Sequence, residues 1–286
     1  MAEILKGQPV SKRMTEETAK KAEELAEAGT VPTLAVMRVG GRSDDIFYEK
    51  SILKKAEETG VEVRLYHYSE DIGSEEFLGE IQKLNMDVTV NGVLIFRPLP
   101  PQIDDGAVCR LLDAEKDADG ITPGSMAGVF TGSGEGFPPC TAQACMEILD
   151  HYGLDMEGKK VAIAGRSLVV GRPAAAMALQ RNATVTICHS RTSPQDMESI
   201  LKGADIVIAA VGRMEMIGGS LLGDGQVVID VGINADDDGK MRGDVAFDEA
   251  EKKAAFITPV PGGVGSVTTA VLMRHVVKAA AKSAGL

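Results

Sequence analysis

Three groups of residues in this chain have the types and spacing to do chemistry. In FYEKSILKKAEETG, residues 47–60, an aromatic side chain, Tyr48, stands at the mouth of a helix with Lys50, Lys54 and Lys55 behind it. One turn on, where a titratable group would share the tyrosine's face, the residue is Ile52. In KDADG, residues 116–120, Asp119 is an acidic side chain in a glycine turn. After the apolar run VAIA, the stretch GRSLVVGRP forms a glycine turn opening a helix, the arrangement that receives a pyrophosphate. Each group also has an ordinary reading. Tyr48 fills core or surface, Asp119 is a turn residue, and the glycines make a plain strand-to-helix connection.

The glycine turn departs from the usual GxGxxG. Gly165 is present, but Ser167 holds the second glycine position and Val170 the third, with Gly171 following. Its setting between a strand and a helix is what the physics of nucleotide binding requires. About 20 residues on, an NAD site carries an acid for the ribose hydroxyl. Here the next strand ends in CHSRT, with His189, Ser190 and Arg191 and no acid. Together with Arg166 these groups suit a 2′-phosphate, so NADP is the expected cofactor and NAD the alternative. Arg191 also reads as a solvated charge at a strand end.

The elements that must position these residues follow from pattern and length. Strands at 33–40, 61–68 and 91–100 alternate with helices at 10–28, 45–59 and near 72–84. A second series begins with a strand at 160–164 and a helix from about 170, followed by TVTICHS, ADIVIAAVG and QVVIDVGI. Such alternation implies βαβ units and parallel sheets. The Gly- and Pro-rich stretch 117–140 has little periodicity and reads as a functional loop or a linker. The closing helix, GSVTTAVLMRHVVKAAAKSA, is expected to return to the first domain. With 286 residues, two domains are the better expectation. A net charge of −12 argues against nucleic acid as a partner. No apolar run is long enough to span a membrane and the N-terminus lacks a signal peptide's apolar core, so a cytoplasmic protein is expected. Cys109, Cys140, Cys145 and Cys188 lack metal-site spacing and read as reduced thiols, with no metal expected.

Taken together, LAVMRVG, the Tyr48 helix, NGVLIFRPLP, KDADG, PPCTAQA, GRSLVVGRP, CHSRT, VVIDVGIN, GDVAF and ITPVPGGVG resemble the methylenetetrahydrofolate dehydrogenase/methenyltetrahydrofolate cyclohydrolase family over essentially the whole chain. The resemblance implies an α/β protein of two domains, each with a mainly parallel sheet, and a cleft between them. Residues 1–145, completed by the C-terminal helix 266–286, would bind folate. Residues 146–265 would form a Rossmann-like nucleotide domain. It further implies that Tyr48 stacks on the aminobenzoate ring and that Asp119 anchors the pterin, with Pro98, Leu99, Pro261, Gly262 and Gly263 along the substrate. The cofactor would meet Gly165, Arg166, Ser167, Gly171, His189, Ser190, Arg191, Val211, Gly212, Gly232, Ile233 and Thr268. Tetrahydrofolate derivatives, polyglutamylated ones included, are the implied partners, and a homodimer the implied assembly.

The chain departs from the family at the positions that serve hydrolysis. The family pattern is Tyr-x-x-x-Lys, with a glutamine beside the lysine. Here those positions are Ile52 and Phe96, and Asp45 stands where a serine is usual. Oxidising the methylene group needs no protein base, because the folate nitrogens supply the electronic push. Hydrolysing the methenyl cation needs general acid–base work, which Ile52 and Phe96 cannot do. With Tyr48 and Asp119, these are the positions on which catalysis turns. The expectation is a dehydrogenase with weak or absent cyclohydrolase activity. The alternatives are a bifunctional enzyme with a relocated base such as Lys55, a non-catalytic folate-binding protein, and another two-domain NAD(P) dehydrogenase.

Overall fold

Strands and helices alternate along most of the chain. The computed structural model describes residues 1–236 and 238–286. Its first part runs β1 (Glu3–Ile4), α1 (Gly7–Glu27), β2 (Thr33–Val39), α2 (Ser43–Thr59), β3 (Glu62–Tyr68), α3 (Ser74–Met86), β4 (Gly92–Ile95), α4 (Asp105–Leu111), α5 (Pro123–Thr131) and α6 (Cys140–His151). The second continues with β5 (Lys160–Ala164), α7 (Gly171–Gln180), β6 (Thr184–Cys188), α8 (Pro194–Lys202), β7 (Ile206–Ala209), β8 (Val227–Asp230), β9 (Asn234–Ala235), β10 (Met241–Arg242), α9 (Phe247–Ala250), β11 (Phe256–Ile257) and α10 (Thr268–Ala284).

The chain divides into two units, Lys12–Cys140 with Thr269–Leu286, and Met1–Ser11 with Thr141–Thr268. The division therefore falls at 140/141 and 268/269, where the sequence suggested 145/146 and 265/266. Residues 1–11 also change sides. β1 lies parallel to β11, Glu3 opposite Phe256 and Ile4 opposite Ile257. A two-residue strand has no periodicity to read, and its partner lies far along the chain.

In the unit built around Lys12–Cys140, β2 is central in a parallel sheet of order β3-β2-β4. All of β2 but Arg38 is buried, as expected for a strand flanked on both sides. Met37 and Ile95 pack with Phe77 and Ile81 of α3 and Val108 of α4. The stretch read as an aperiodic loop contains α5. Small residues hid its period, but its start is marked locally: Thr122 accepts from the N–H of Ser125 at 3.1 Å, with Pro123 next.

The other unit holds a six-stranded parallel sheet of order β1-β11-β8-β7-β5-β6. From β5 the chain adds β6 on one side and β7, β8 and β11 on the other, so the order reverses at β5. In open α/β sheets ligands bind at such a switch point, beyond the carboxyl ends of the strands.

Candidate active site

In the first unit Phe96, Pro98 and Leu99 follow the carboxyl end of β4, and Tyr48 reaches Phe96 from the early turns of α2. Phe96 follows β4 directly and donates its N–H to Met37 O at 2.9 Å. Its ring meets Tyr48 edge to face, centroids 5.9 Å apart and planes at 90°. Tyr48 is half-buried and Phe96 is 8% exposed. Pro98 and Leu99 line a cavity of about 410 Å³ with Gly40, Arg42 and Glu70.

Ile52 is fully buried, on the inward face of α2 with Asp45, Glu49, Ala56 and Thr59. Lys55, the alternative base, points elsewhere. Its Nζ lies 2.6 Å from Glu58 Oε2 and donates to Thr15 Oγ1 at 3.1 Å. The Lys55 hydrogen bond holds the Glu58 carboxyl below its usual range.

The sequence did not point to Glu49. Buried beside Tyr48, it takes a hydrogen bond from Arg38 Nε at 3.1 Å and pairs with His67 Nε2 at 2.8 Å. It thereby ties α2 to both β2 and β3 and sets where Tyr48 stands. The available signal was a carboxylate on the apolar face of an amphipathic helix, a position that demands partners.

Asp119 sits in a turn anchored by a second carboxylate. Asp117, fully buried, accepts from the N–H groups of Ile121 (2.9 Å) and Thr122 (2.7 Å) and from Ser125 Oγ (2.7 Å). Behind the turn, His275 Nδ1 lies 2.9 Å from Ala118 O, and its ring stacks on Phe137 at 4.9 Å. Cys140 Sγ donates to the same carbonyl at 3.3 Å. Burial pushes the Asp119 carboxyl up to about 7, and the charge of Asp117 adds to the rise. The Cys140 thiol and Arg97 pull it back. Such a carboxyl, when ionised, can accept paired N–H groups from a heterocycle.

In the second unit the strand register aligns the expected cofactor residues. Ala164 lies opposite both Cys188 and Ala209, and Ala209 opposite Asp230. The loops carrying Gly165–Ser167, His189–Arg191, Val211–Gly212 and Gly232–Ile233 therefore leave the sheet at one edge. Gly165 adopts φ +129, and a Cβ there would lie 2.1 Å from Ala210 O. A Cβ on Gly171 would lie 2.2 Å from Gly165 O. The glycine that lets the helix approach the strand is thus Gly171, one position after the fingerprint's third glycine. Ser167 Oγ accepts from Val170 N–H at 3.1 Å and shapes the start of α7. Arg166, Ser167, Ser190 and Arg191 are exposed. His189 Nδ1 accepts from the N–H of Arg191 at 3.1 Å, which puts its neutral-form proton on Nε2. This cradle, with its helix N-terminus and cationic rim, fits a phosphorylated nucleotide.

Pro261, Gly262 and Gly263, expected along the substrate, belong to this second unit. The N-terminal segment holds them in place. Gly7 donates its N–H to Gly262 O at 2.8 Å, and a Cβ on Gly7 would lie 2.1 Å from Gly263 O. Thr268 opens α10, its Oγ1 donating to Gly265 O at 3.1 Å. No helix among the described residues is long and apolar enough to cross a membrane.

Residues 5–119 match the family described as tetrahydrofolate dehydrogenase/cyclohydrolase, catalytic domain, and residues 139–284 its NAD(P)-binding domain. The bifunctional protein FolD of Alkaliphilus oremlandii is 47% identical over 279 residues, covering 98% of this chain and 97% of the relative. The structure of the bifunctional FolD dehydrogenase/cyclohydrolase from Campylobacter jejuni is similar with a TM-score of 0.95 at 38% identity, covering 99% of each chain. That of the Trypanosoma brucei methylenetetrahydrofolate dehydrogenase-cyclohydrolase, complexed with NADP cofactor and an inhibitor, has a TM-score of 0.93 at 32% identity, covering 100% of this chain and 99% of that one.

Proposed function

We infer the function from one premise: this chain belongs to the tetrahydrofolate dehydrogenase/cyclohydrolase family. It is an NAD(P)-dependent methylenetetrahydrofolate dehydrogenase, and NADP is its cofactor. In our reading it oxidises 5,10-methylenetetrahydrofolate to the 5,10-methenyl cation, in the cytoplasm and as a homodimer. When bound, the nicotinamide accepts the hydride. The protein's task is to hold two rings in reacting geometry. Asp119 accepts the pterin's N–H groups and Tyr48 offers a face to the aminobenzoate ring, with Pro98 and Leu99 beside it. Gly165, Ser167 and Gly171 admit the pyrophosphate at α7. Arg166, Ser190 and Arg191 meet the 2′-phosphate. Val211, Gly212, Gly232, Ile233 and Thr268 border the rest of the nucleotide, and Pro261–Gly263 the folate.

One observation carries the reading of the second activity: Ile52 is fully buried and Phe96 packs on Tyr48, at the two positions where the resemblance implies a lysine and a glutamine. This supports a dehydrogenase with weak or absent cyclohydrolase activity. The relatives' names support the bifunctional alternative, and support it better. Lys55 would have to leave Glu58 and Thr15 to serve as its base.

Assaying both half-reactions on the purified protein decides between them. Hydrolysis of methenyltetrahydrofolate no faster than in buffer, alongside rapid reduction of NADP, is what the Ile52 and Phe96 reading expects. Hydrolysis at a rate comparable with the dehydrogenase turnover would establish the bifunctional reading. Lys55→Ala would then show whether that lysine carries it.

A further inference from the structure

The loop after β7 turns three consecutive backbone N–H groups toward one point. Groups arranged in this way form a concavity for an anion. Here the anion belongs to the chain itself. Asp244 Oδ2 accepts from Val211 at 2.6 Å and from Gly212 at 2.9 Å, and Oδ1 accepts from Arg213 at 2.9 Å. Asn234 Nδ2 adds a fourth bond to Oδ1 at 3.0 Å. Asp244 is fully buried. Four donors are the condition under which such a carboxylate is tolerated inside a protein.

Asp244 is held in turn by Asp230, the last residue of β8. The Asp230 carboxylate accepts from the N–H groups of Asp244 and Val245, both at 3.0 Å, and of Gly232 at 2.9 Å. The hairpin of β9 and β10 carries the chain back to make these contacts. They leave no space for side chains: a Cβ on Gly243 would lie 1.8 Å from Asp230 Oδ2, and one on Gly232 2.4 Å from Asp244 Oδ1. The Asp230 N–H donates to Thr258 Oγ1 at 2.7 Å, at the start of the segment that leads to Pro261–Gly263. Two buried carboxylates thus link the loop after β7 to the segment after β8, and the Asp230 backbone joins them to Thr258 after β11.

We propose that Asp244 is a positioning residue for the nicotinamide nucleotide: its carboxylate fills the anion concavity of Val211–Arg213, fixing that loop and keeping the cofactor's phosphates out of it. The pyrophosphate is left to the glycine turn at α7. The Val211–Arg213 loop meets the nucleotide through carbonyl groups and side chains. This rests on the reading that the second unit binds NADP.

The test uses the full-length protein with NADP as probe, by direct titration and by steady-state kinetics. In Asp244→Asn an amide N–H₂ must face backbone donors whichever way it turns. The KM and Kd for NADP should rise about tenfold to a hundredfold, the effect of leaving a buried donor unsatisfied. The KM for the folate should stay within about threefold, well inside one unsatisfied bond. A substitution that merely destabilises lowers the active fraction, and with it kcat, while leaving the KM for NADP unchanged; that result overturns the proposal. Asn234→Ala removes one of the four donors and keeps the carboxylate, so it serves if Asp244→Asn does not fold. It should raise the KM for NADP about threefold; no change in a folded Asn234→Ala protein likewise overturns the proposal. Absence of NADP binding by the unmodified protein would instead sink the parent reading, and the proposal with it, before any variant is made.

Discussion

The candidate groups of the two units are built by different means. Around Tyr48 they are side chains: an aromatic pair, a carboxyl raised to about 7, and a buried aliphatic residue. Where Gly165 lies, backbone does the work, in loops brought into line by strand register and braced by Asp230 and Asp244. Burial raises Asp230 to about 6, while its three backbone N–H bonds restrain the rise. The contrast teaches where change is tolerated. A side-chain site can hold aliphatic and aromatic groups, as at Ile52 and Phe96, while its strands and helices stay in place. A backbone site depends on glycines that have no room for a Cβ, as at Gly165 and Gly171.

The largest effect should come from the side-chain unit. Asp119→Ala should lower kcat/KM for the folate a hundredfold or more, roughly 3 kcal/mol for the lost charge-assisted pair. Direct titration should find NADP binding unchanged. Kinetics like those of the unmodified protein would reduce Asp119 to a turn residue and dissolve the contrast.

Arg166→Ala probes the one part of the backbone site that relies on side-chain charge. The KM for NADP should rise about thirtyfold, near 2 kcal/mol, while the KM for NAD stays put. The unmodified protein should prefer NADP in the same assay. Equal efficiency with NAD would show that Arg166, Ser190 and Arg191 read no 2′-phosphate.

A smaller effect is set by pH. With its carboxyl at about 7, Asp119 is ionised at pH 8 and largely protonated at pH 6. The protonated form offers one acceptor fewer, so folate affinity should fall about tenfold between those values. Asp119→Asn should flatten the profile. The same group affects stability with the opposite sign. Between pH 7 and about 4 the native carboxyl holds a proton that an unfolded aspartate releases, so its contribution grows as pH falls. A folate profile level across pH 6 to 8 would mean that this carboxyl does not touch the pterin.

Much of the architecture could be read from local pattern. Apolar runs of strand length spaced by helices set the two βα series. The strand–glycine–helix setting of GRSLVVGRP marked the turn that opens α7. The roles proposed for Tyr48, Asp119, Ile52 and Phe96 came from local motifs through the family resemblance. Tertiary structure alone decided the rest. β1 joins β11 across most of the chain. Asp244 braces a loop about thirty positions earlier, and Glu49 meets Arg38 and His67 on two strands. The helix α5 was hidden by small residues, although its Thr122–Pro123 start was there to read. The physical reason is common to the first three. Periodicity and turn chemistry act between residues a few positions apart, whereas a buried carboxylate is satisfied by whichever donors the fold brings to it. Its sequence neighbours do not name them.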